Sequence, residues 1–452
     1  MIFDTVVTNG KLVLPGRGIH EASLAIKDGK VVGFFDSNIK LESNEVIDAN
    51  GNYVLPGVID PHTHLGMGNG LNDYLTETKC ASLGGVTTLI NFLLTSEDYD
   101  EVYASSKQAG ENWGYVDFSF HFGAVTDLHI KNVEKYIKTM GVPSFKLFMN
   151  FKGNEGAYLG IQGIDDGYIF DFFNSLTRFS KAIPCIHAEN IEVVWRLRNN
   201  LQNQPGKDLA LWDASRPIFV ETENVHRAIY FAEMAQCPVY IVHISGKGSL
   251  EEVQSYKLRY DKIYGETCPH YLTHSRDSEV GILGKVNPPL RTSEDIDALW
   301  KGIRNGTINT VGSDHVPRRK EAKSGGIWKA SAGFPGVGTL LPILLSEGVN
   351  KRGISIERIV EITSSNVAKI FSLYPKKGDL SIGSDADLVI IDLNLEKEVH
   401  ANDLQSYSDF SIYESWKLKG WPVLTMVRGK TVMESGKIVG QEGFGEFIPR
   451  YF

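Results

Sequence analysis

Several polar side chains in this sequence follow short apolar segments and belong to the types that bind metal ions. His62 and His64 are two residues apart in the segment DPHTH, so on an extended backbone both side chains point to the same face. His187 ends the stretch IPCIH, His243 follows VYIV, and Asp314 follows TVGS. Imidazole and carboxylate groups without thiolates are ligands that suit zinc or a similar divalent ion.

Each of these residues taken alone has a simpler explanation. A single histidine at the end of a strand is more often a hydrogen-bonded structural residue than a ligand, and Asp314 has the residue type of a helix cap. The HxH spacing of His62 and His64 is more specific than either of these. The interpretation therefore depends on whether the fold brings all five residues to one place.

The elements that must position these residues alternate between apolar β-like stretches and longer amphipathic stretches, which is typical of an α/β fold. Eight strands separated by helical segments predict a (β/α)₈ TIM barrel, whose functional residues follow the carboxyl ends of the strands. A doubly wound sheet is the competing choice, but no GxGxxG follows the first central strand. The predicted inner strands are 53–59, 87–92, 118–122, 144–149, 183–187, 239–243, 263–267 and 310–313.

Both ends of the chain have a different texture, with short strands and turns such as Asn9-Gly10 and Asp28-Gly29. We expect the two ends to form one small β-sandwich domain beside the barrel. The predicted boundaries are 1–52 for the first part of this domain, 53–372 for the barrel, and 373–452 for the second part with a C-terminal tail.

In a barrel, the five candidate ligands would meet at a single mouth, where burying them without a charge partner is costly. Five ligands are too many for one tetrahedral catalytic ion with an open position. Two ions about 3.5–4 Å apart fit the number better. A sixth polar residue, Lys146 in SFKLFM, lies within the predicted fourth strand. An ammonium group has no acceptor, so Lys146 fits the site as a ligand only if carbon dioxide converts its amine to a carbamate.

Composition excludes several other classes of function. The 452 residues are 42% hydrophobic and 22% charged, which is ordinary for a globular protein. The net charge of −9 and the lack of a basic run argue against a nucleic-acid or anionic-membrane partner. Four dispersed cysteines form neither a disulfide framework nor a thiolate zinc site. With no export signal and no long apolar run, we expect a cytoplasmic protein.

The motifs together resemble the cyclic amidohydrolases, and most closely the hydantoinase, dihydropyrimidinase and allantoinase group. The resemblance covers nearly the whole chain in order. It is carried by DPHTH, FKLFM, IHAEN, VHISGK, ETCPHYL, KVNPPLR, GSDH, GSDADLVIIDL and KGWPVLTMVRGK.

The resemblance implies a catalytic barrel flanked by a β-sandwich, a homotetramer, and two zinc ions in each subunit. His62, His64 and Asp314 would hold one zinc, and His187 and His243 the other. Lys146 would bridge them as N6-carboxylysine. A hydroxide between the ions would attack the ring amide, with Asp314 as general base and then general acid. The substrate would be a small cyclic amide of the hydantoin type.

The family binds its ring substrate through main-chain groups after the seventh and eighth strands. The matching positions are Asn287, in KVNPPLR, and Gly333, in SAGFPGVG. Lys285 and Arg291 flank the first of these segments, and we expect Arg291 to be a solvent-exposed charge.

The sequence departs from the family at Phe151. Many hydantoinases and dihydropyrimidinases have a tyrosine there, in FMxYK, whose hydroxyl helps to stabilise the oxyanion, and phenylalanine cannot donate that hydrogen bond. Allantoinases and L-selective hydantoinases also depart here, and the closing GFGEFIPR is similar to the latter. The alternatives are therefore an allantoinase or another cyclic ureide or imide hydrolase, with dihydropyrimidinase disfavoured. A non-catalytic dihydropyrimidinase-like scaffold is disfavoured because the six ligand positions are retained.

Overall fold

The structure is a computed structural model that describes residues 2–161 and 163–451. Its strands are β1 Phe3–Leu14, β2 Gly18–Lys27, β3 Lys30–Phe35, β4 Ser43–Asp48, β5 Tyr53–Pro56, β6 Val58–Thr63, β7 Val86–Leu93, β8 Asp117–Gly123, β9 Ser144–Phe148, β10 Ile183–His187, β11 Val239–Ile241, β12 Ile263–Thr267, β13 Thr310–Val311, β14 Leu388–Glu398, β15 Lys417–Val427, β16 Lys430–Glu434 and β17 Lys437–Ile438.

Helices alternate with the central strands. The α-helices are α1 Asp73–Leu83, α2 Asp100–Trp113, α3 Asp127–Met140, α4 Asp166–Thr177, α5 Ile191–Leu201, α6 Asp208–Ser215, α7 Ile218–Met234, α8 Lys247–Lys257, α9 Ser293–Asn305, α10 Leu340–Ile343, α11 Ile356–Val360 and α12 Asn366–Ile370. Two π-helical segments are Leu344–Asn350 and Glu361–Ser365. Short 3₁₀ segments are Gly70–Asn72, Gly153–Glu155, Ala157–Leu159, Pro269–Leu272, Gly281–Gly284, Lys320–Lys323, Val337–Thr339 and Ala401–Leu404.

The central strands β6 to β13 form one parallel sheet in sequence order, curled into a nearly closed barrel. Most of its residues are buried, as expected for strands covered on both faces. A second, mixed sheet of nine strands is built from both ends of the chain. The predicted fold, a TIM barrel with a small β domain formed by the two termini, is confirmed.

The mixed sheet joins the two ends of the chain through β5, which pairs with β1 on one side and β14 on the other. Side chains from both ends pack into one apolar core there, among them Leu12, Val54, Leu388 and Met426. Because burial of apolar side chains is the main stabilising contribution, this shared core explains why the β domain needs both termini.

One predicted strand boundary is wrong. Residues 53–59 were expected to form a single inner strand, but Tyr53–Pro56 belongs to the mixed sheet and Val58–Thr63 to the barrel. The break falls at Gly57, where a Cβ atom would lie 2.1 Å from Oγ1 of Thr87. The chain thus leaves one sheet and enters the other at a residue that has to be glycine.

By its internal contacts the chain divides into two compact units. One contains Met1–Ile90, Lys107–Ser119 and Pro335–Ile448, and the other contains Asn91–Ser106, Phe120–Phe334 and Pro449–Phe452. The predicted division at residues 52 and 372 stays a prediction. None of the helices that the structure describes combines the length and apolar character needed to cross a membrane.

Candidate metal centre

The two histidines of the HxH segment lie at the carboxyl end of the first barrel strand, β6. His62 is buried and His64 is half-buried, and their ring centroids are 5.2 Å apart. The backbone N–H of His62 donates to the carboxylate of Asp60 at 3.1 Å. The extended backbone places both imidazoles on one face, as the spacing predicts.

His187 and His243 face each other at the ends of neighbouring strands. His187 is the last residue of β10, and His243 follows β11 by two residues. Nε2 of His243 lies 2.9 Å from Nδ1 of His187, with the rings at 80°. Two zinc–nitrogen bonds of 2.0–2.1 Å at a tetrahedral angle would separate these nitrogens by roughly 3.3 Å. The pair therefore fits a shared metal ion after a shift of a few tenths of an ångström.

A buried ion pair contacts the ring nitrogen of His187 that points away from His243. Nε2 of His187 is 2.7 Å from Oε2 of Glu189, and Oε1 of Glu189 accepts from Nη1 of Arg216 at 2.9 Å. Burial raises the pKa of Glu189, but the charge of Arg216 and the bond to His187 outweigh it and lower that pKa to about 2. An ionised carboxylate only accepts hydrogen bonds, so Nε2 carries the proton and Nδ1 presents its lone pair towards His243.

Lys146 lies on β9 with its side chain buried in the barrel. It is opposite Cys185 on β10, and its Nζ is 4.7 Å from the ring centre of Phe92 and 5.4 Å from that of Phe148. Burial lowers the pKa of Lys146 to about 8, although the charges of Asp314 and Glu266 oppose this shift. A substantial fraction of the amine is then neutral near pH 8, and the neutral amine is the form that reacts with carbon dioxide.

Asp314 and His243 both have a backbone conformation that is uncommon for residues other than glycine. Their φ angles are 50° and 42°, in the left-handed region. Such conformations cost about 1–3 kcal/mol each and tend to occur at functional sites. Asp314 follows β13, the eighth barrel strand, by three residues.

Three aspartates elsewhere, Asp117, Asp385 and Asp387, form a second group with metal-ligand chemistry. The ammonium of Lys377 already lies among them, 2.6 Å from Asp117 and Asp387 and 2.9 Å from Asp385. This group is therefore a buried ion-pair cluster whose cation is a lysine.

Sequence reasoning missed Glu189, Arg216 and Glu266. Glu266, on β12, accepts from the hydroxyl of Tyr240 at 2.7 Å and from the backbone N–H of His243 at 3.0 Å. Burial raises the pKa of Glu266 to about 7. The two-residue spacing of Glu189 from His187 was a usable signal, whereas Arg216 and Glu266 pair with residues more than twenty positions away and gave none.

The two segments expected to bind substrate contact each other. The backbone N–H of Gly333 donates to the carbonyl of Lys285 at 3.0 Å, two residues before Asn287. The expectation for Arg291 is wrong, because its guanidinium is buried and bonded to Asp213 at 2.8 Å and Glu221 at 3.0 Å. Arg291 thus anchors the segment from inside the protein.

Phe151, at the position of the family's tyrosine, is buried and stacks on Phe148. Their ring centroids are 4.3 Å apart and the rings are nearly parallel, at 6°. Phe148 in turn is opposite His187 in the sheet, with the two rings 6.0 Å apart. An apolar aromatic pair therefore lies beside the candidate ligand His187.

Comparisons with known proteins show the family to which this chain is similar. Residues 251–432 match the model of the amidohydrolase family. The chain is 35% identical to an L-hydantoinase of Paenarthrobacter aurescens, over 99% of this chain and 98% of that one. It is 30% identical to an allantoinase of Bacillus licheniformis, over 99% and 100%. The solved structure of the L-hydantoinase (dihydropyrimidinase) from Arthrobacter aurescens aligns over 99% of this chain and 100% of that chain. Its TM-score is 0.92 and its sequence identity is 33%.

The chain therefore belongs to the amidohydrolase family. Within that family it groups with the cyclic amidohydrolases, and it is an enzyme of the hydrolase class.

Proposed function

We propose that this protein is a binuclear zinc hydrolase that opens a hydantoin-type cyclic amide. The observation that carries the proposal is the pair of facing imidazole nitrogens of His187 and His243, 2.9 Å apart, together with the buried amine of Lys146. His187 and His243 would hold one ion, and His62, His64 and Asp314 the other. Lys146 would bridge the two ions as a carbamate.

The donor set supports this assignment. Imidazoles and carboxylates without thiolates suit zinc, and His187 has its tautomer set by Glu189, as second-sphere carboxylates do in zinc enzymes. The lowered pKa of Lys146 favours the neutral amine that carbamylation needs.

Two bound zinc ions would supply an attacking water of lowered pKa and polarise the scissile carbonyl. Asp314 takes the proton of the attacking water and delivers it to the amide nitrogen as the ring C–N bond breaks. Main-chain groups of Asn287 and Gly333 bind the N–H and C=O groups on the edge of the ring and hold the scissile carbonyl in place.

The aromatic pair of Phe148 and Phe151 indicates which cyclic amide is the preferred substrate. Phe151 offers no hydroxyl to a developing oxyanion, and the loss of one such donor is worth about 10²–10³ in rate. Because L-selective hydantoinases also depart from the tyrosine at this position, we place five-membered hydantoins ahead of six-membered dihydropyrimidines as substrates. A relative named allantoinase makes allantoin the second ring to test.

The experiment is a substrate panel on the purified protein with its metal content measured on the same sample. We expect about two zinc ions per chain and turnover of hydantoins above that of allantoin and dihydrouracil. A protein with no bound metal and no turnover of any ring would instead be a scaffold, and the proposal would be wrong. Fast turnover of allantoin alone would replace the hydantoin by that ureide.

We also propose a homotetramer. Light scattering in solution should then give four times the chain mass of 50.2 kDa. A mass equal to one chain would contradict the assembly without affecting the chemistry.

A further inference from the structure

Two buried lysines beside the proposed ring-binding segments have no carboxylate partner among the described residues. Lys285 is 4% exposed and Lys323 is 2% exposed. The ammonium of Lys285 donates to the carbonyl of Ala330 at 2.6 Å. That of Lys323 donates to the carbonyls of Lys285 and Ser331, both at 3.0 Å. Every hydrogen bond that the described residues offer these two cations comes from the main chain.

The two arginines that lower the pKa of Lys285 are themselves paired with carboxylates. Arg216 is paired with Glu189 at 2.9 Å, and Arg198 is paired with Glu155 at 3.0 Å. Both carboxylates are thus already engaged, and Glu155 offsets only part of the effect that burial and the two arginines have on the pKa of Lys285. Burying a charge without a counter-charge is costly. Burial, with the neighbouring cations adding to it, lowers the pKa of Lys285 to about 8 and that of Lys323 to about 7.

Lys285 is placed to receive a ligand group, whereas Lys323 holds the backbone. Lys323 uses two of its three N–H groups on carbonyls, one of which is the carbonyl of Lys285 itself. Lys285 uses one N–H group on Ala330 and keeps two without an acceptor among the described residues. Its main chain lies two residues before Asn287 and bonds to Gly333, so it belongs to the segment proposed to bind the ring.

Aromatic rings form an apolar surface next to this ammonium. Nζ of Lys285 lies 4.0 Å from the ring centre of Trp212, and the rings of Trp212 and Trp328 are 5.9 Å apart. The indole N–H of Trp212 donates to the carbonyl of Val286 at 3.0 Å, which fixes the ring against the same segment. An aromatic face stabilises the protonated, charged form of a lysine more than aliphatic groups do. The charged ammonium of Lys285 can therefore attract an anion.

We propose that Lys285, with Trp212 and Trp328 beside it, binds a carboxylate on the ring substituent of the substrate. The preferred substrate class is then a hydantoin with an acidic side chain at carbon 5, rather than one with a neutral aliphatic or aromatic side chain. This inference rests on the proposed hydrolysis of hydantoin-type rings and specifies the substituent that such a ring carries.

A matched pair of substrates tests the subsite directly: hydantoin-5-acetic acid and its primary amide, which have the same shape and differ in charge. We expect the wild-type enzyme to have the higher kcat/KM for the acid. Lys285→Met should raise KM for the acid by about tenfold or more beyond any change in KM for the amide, which is the loss expected for a hydrogen bond between charged groups. Lys285→Gln, which keeps a hydrogen-bond donor, should behave like Lys285→Met.

Lys257→Met is the control, because Lys257 also donates to a main-chain carbonyl, that of Thr307, but lies outside the substrate segments. It should not change the preference for the acid. In the wild type, added salt should raise KM for the acid and not for the amide, a measurement that does not depend on any variant folding.

If the wild type turns over the acid and the amide equally well, the proposed carboxylate subsite is wrong. The proposed hydrolysis of hydantoins would not be affected by that result. An equal loss on both substrates in Lys285→Met would also overturn the subsite, and would make Lys285 a residue that only positions the segment. If neither these two rings nor unsubstituted hydantoin is opened, the proposed function itself is wrong and the subsite falls with it.

Discussion

Replacing Glu189 by glutamine tests whether the carboxylate of Glu189 sets the tautomer of the candidate ligand His187. Glu189 has no exposed surface, and its two carboxylate oxygens are used by His187 at 2.7 Å and by Arg216 at 2.9 Å. An amide has one acceptor and one donor group, so glutamine can satisfy only one of these two partners. If its carbonyl faces Arg216, its NH₂ group faces Nε2 of His187 and favours the tautomer that carries the proton on Nδ1.

The expected magnitude follows from that tautomer change. Nδ1 of His187 is the nitrogen that faces His243, so a proton there removes the lone pair that would bind the metal. Loss of a second-sphere partner of this kind typically lowers metal affinity or activity 10- to 100-fold. This corresponds to about 1.4–2.7 kcal/mol. We expect a decrease in this range for one of the two ions and little change for the other.

The assay is competition for zinc between the protein and a chromophoric chelator, which reports metal affinity independently of turnover. Asp117→Asn is the matched control, because Asp117 is an equally buried carboxylate paired with an arginine, Arg428, and contacts none of the proposed ligands in the part of the chain described. The reasoning is refuted if Glu189→Gln retains two zinc ions with wild-type affinity, or if the control loses zinc to the same extent.

Three further substitutions test other parts of the reasoning. Asp314→Ala should lower kcat by about 10³ or more, since it removes the general base, and wild-type turnover with zinc bound would contradict that role. Phe151→Tyr should raise dihydrouracil turnover by up to about 10²-fold, and no increase would show that the missing hydroxyl is not what excludes this ring. Lys377→Met should destabilise the protein by about 3–5 kcal/mol, because it removes the buried cation that Asp117, Asp385 and Asp387 share. An unchanged melting temperature would contradict this last expectation.

The sequence predicted the fold because the signals for it are local. Strands β10 and β12 have the predicted bounds. β10 is a short apolar run that ends at His187, whereas β12 begins with Ile263 and Tyr264, which are residue types common in strands. The error at residues 53–59 has a physical reason. Both Tyr53–Pro56 and Val58–Thr63 are largely buried, so no change of hydrophobic periodicity marks the point where the chain changes sheets.

The candidate site was predictable in part for the same reason. Residue type and position at the end of a predicted strand singled out His187 and His243, and the structure brings their ring nitrogens together. Whether a charged residue is buried and which residue it pairs with could not be predicted, because both depend on contacts between distant parts of the chain. The sequence around Arg291 suggested a solvent-exposed charge. Its guanidinium is instead buried and paired with Asp213 and Glu221, which are seventy or more positions away in the chain.

These long-range pairs converge on the end of α6, and this convergence links the metal ligand to the ring-binding segment. Arg216 bonds to Glu189 with its side chain and accepts a hydrogen bond from Arg291 with its main-chain carbonyl. Glu189 orients His187, while Arg291 belongs to the segment that contains Asn287. A displacement of Arg216 would therefore move both partners at once, so that metal affinity and KM should change together in variants at this position. Variants of Lys285, which has no bond to Arg216 among the described residues, should change KM alone.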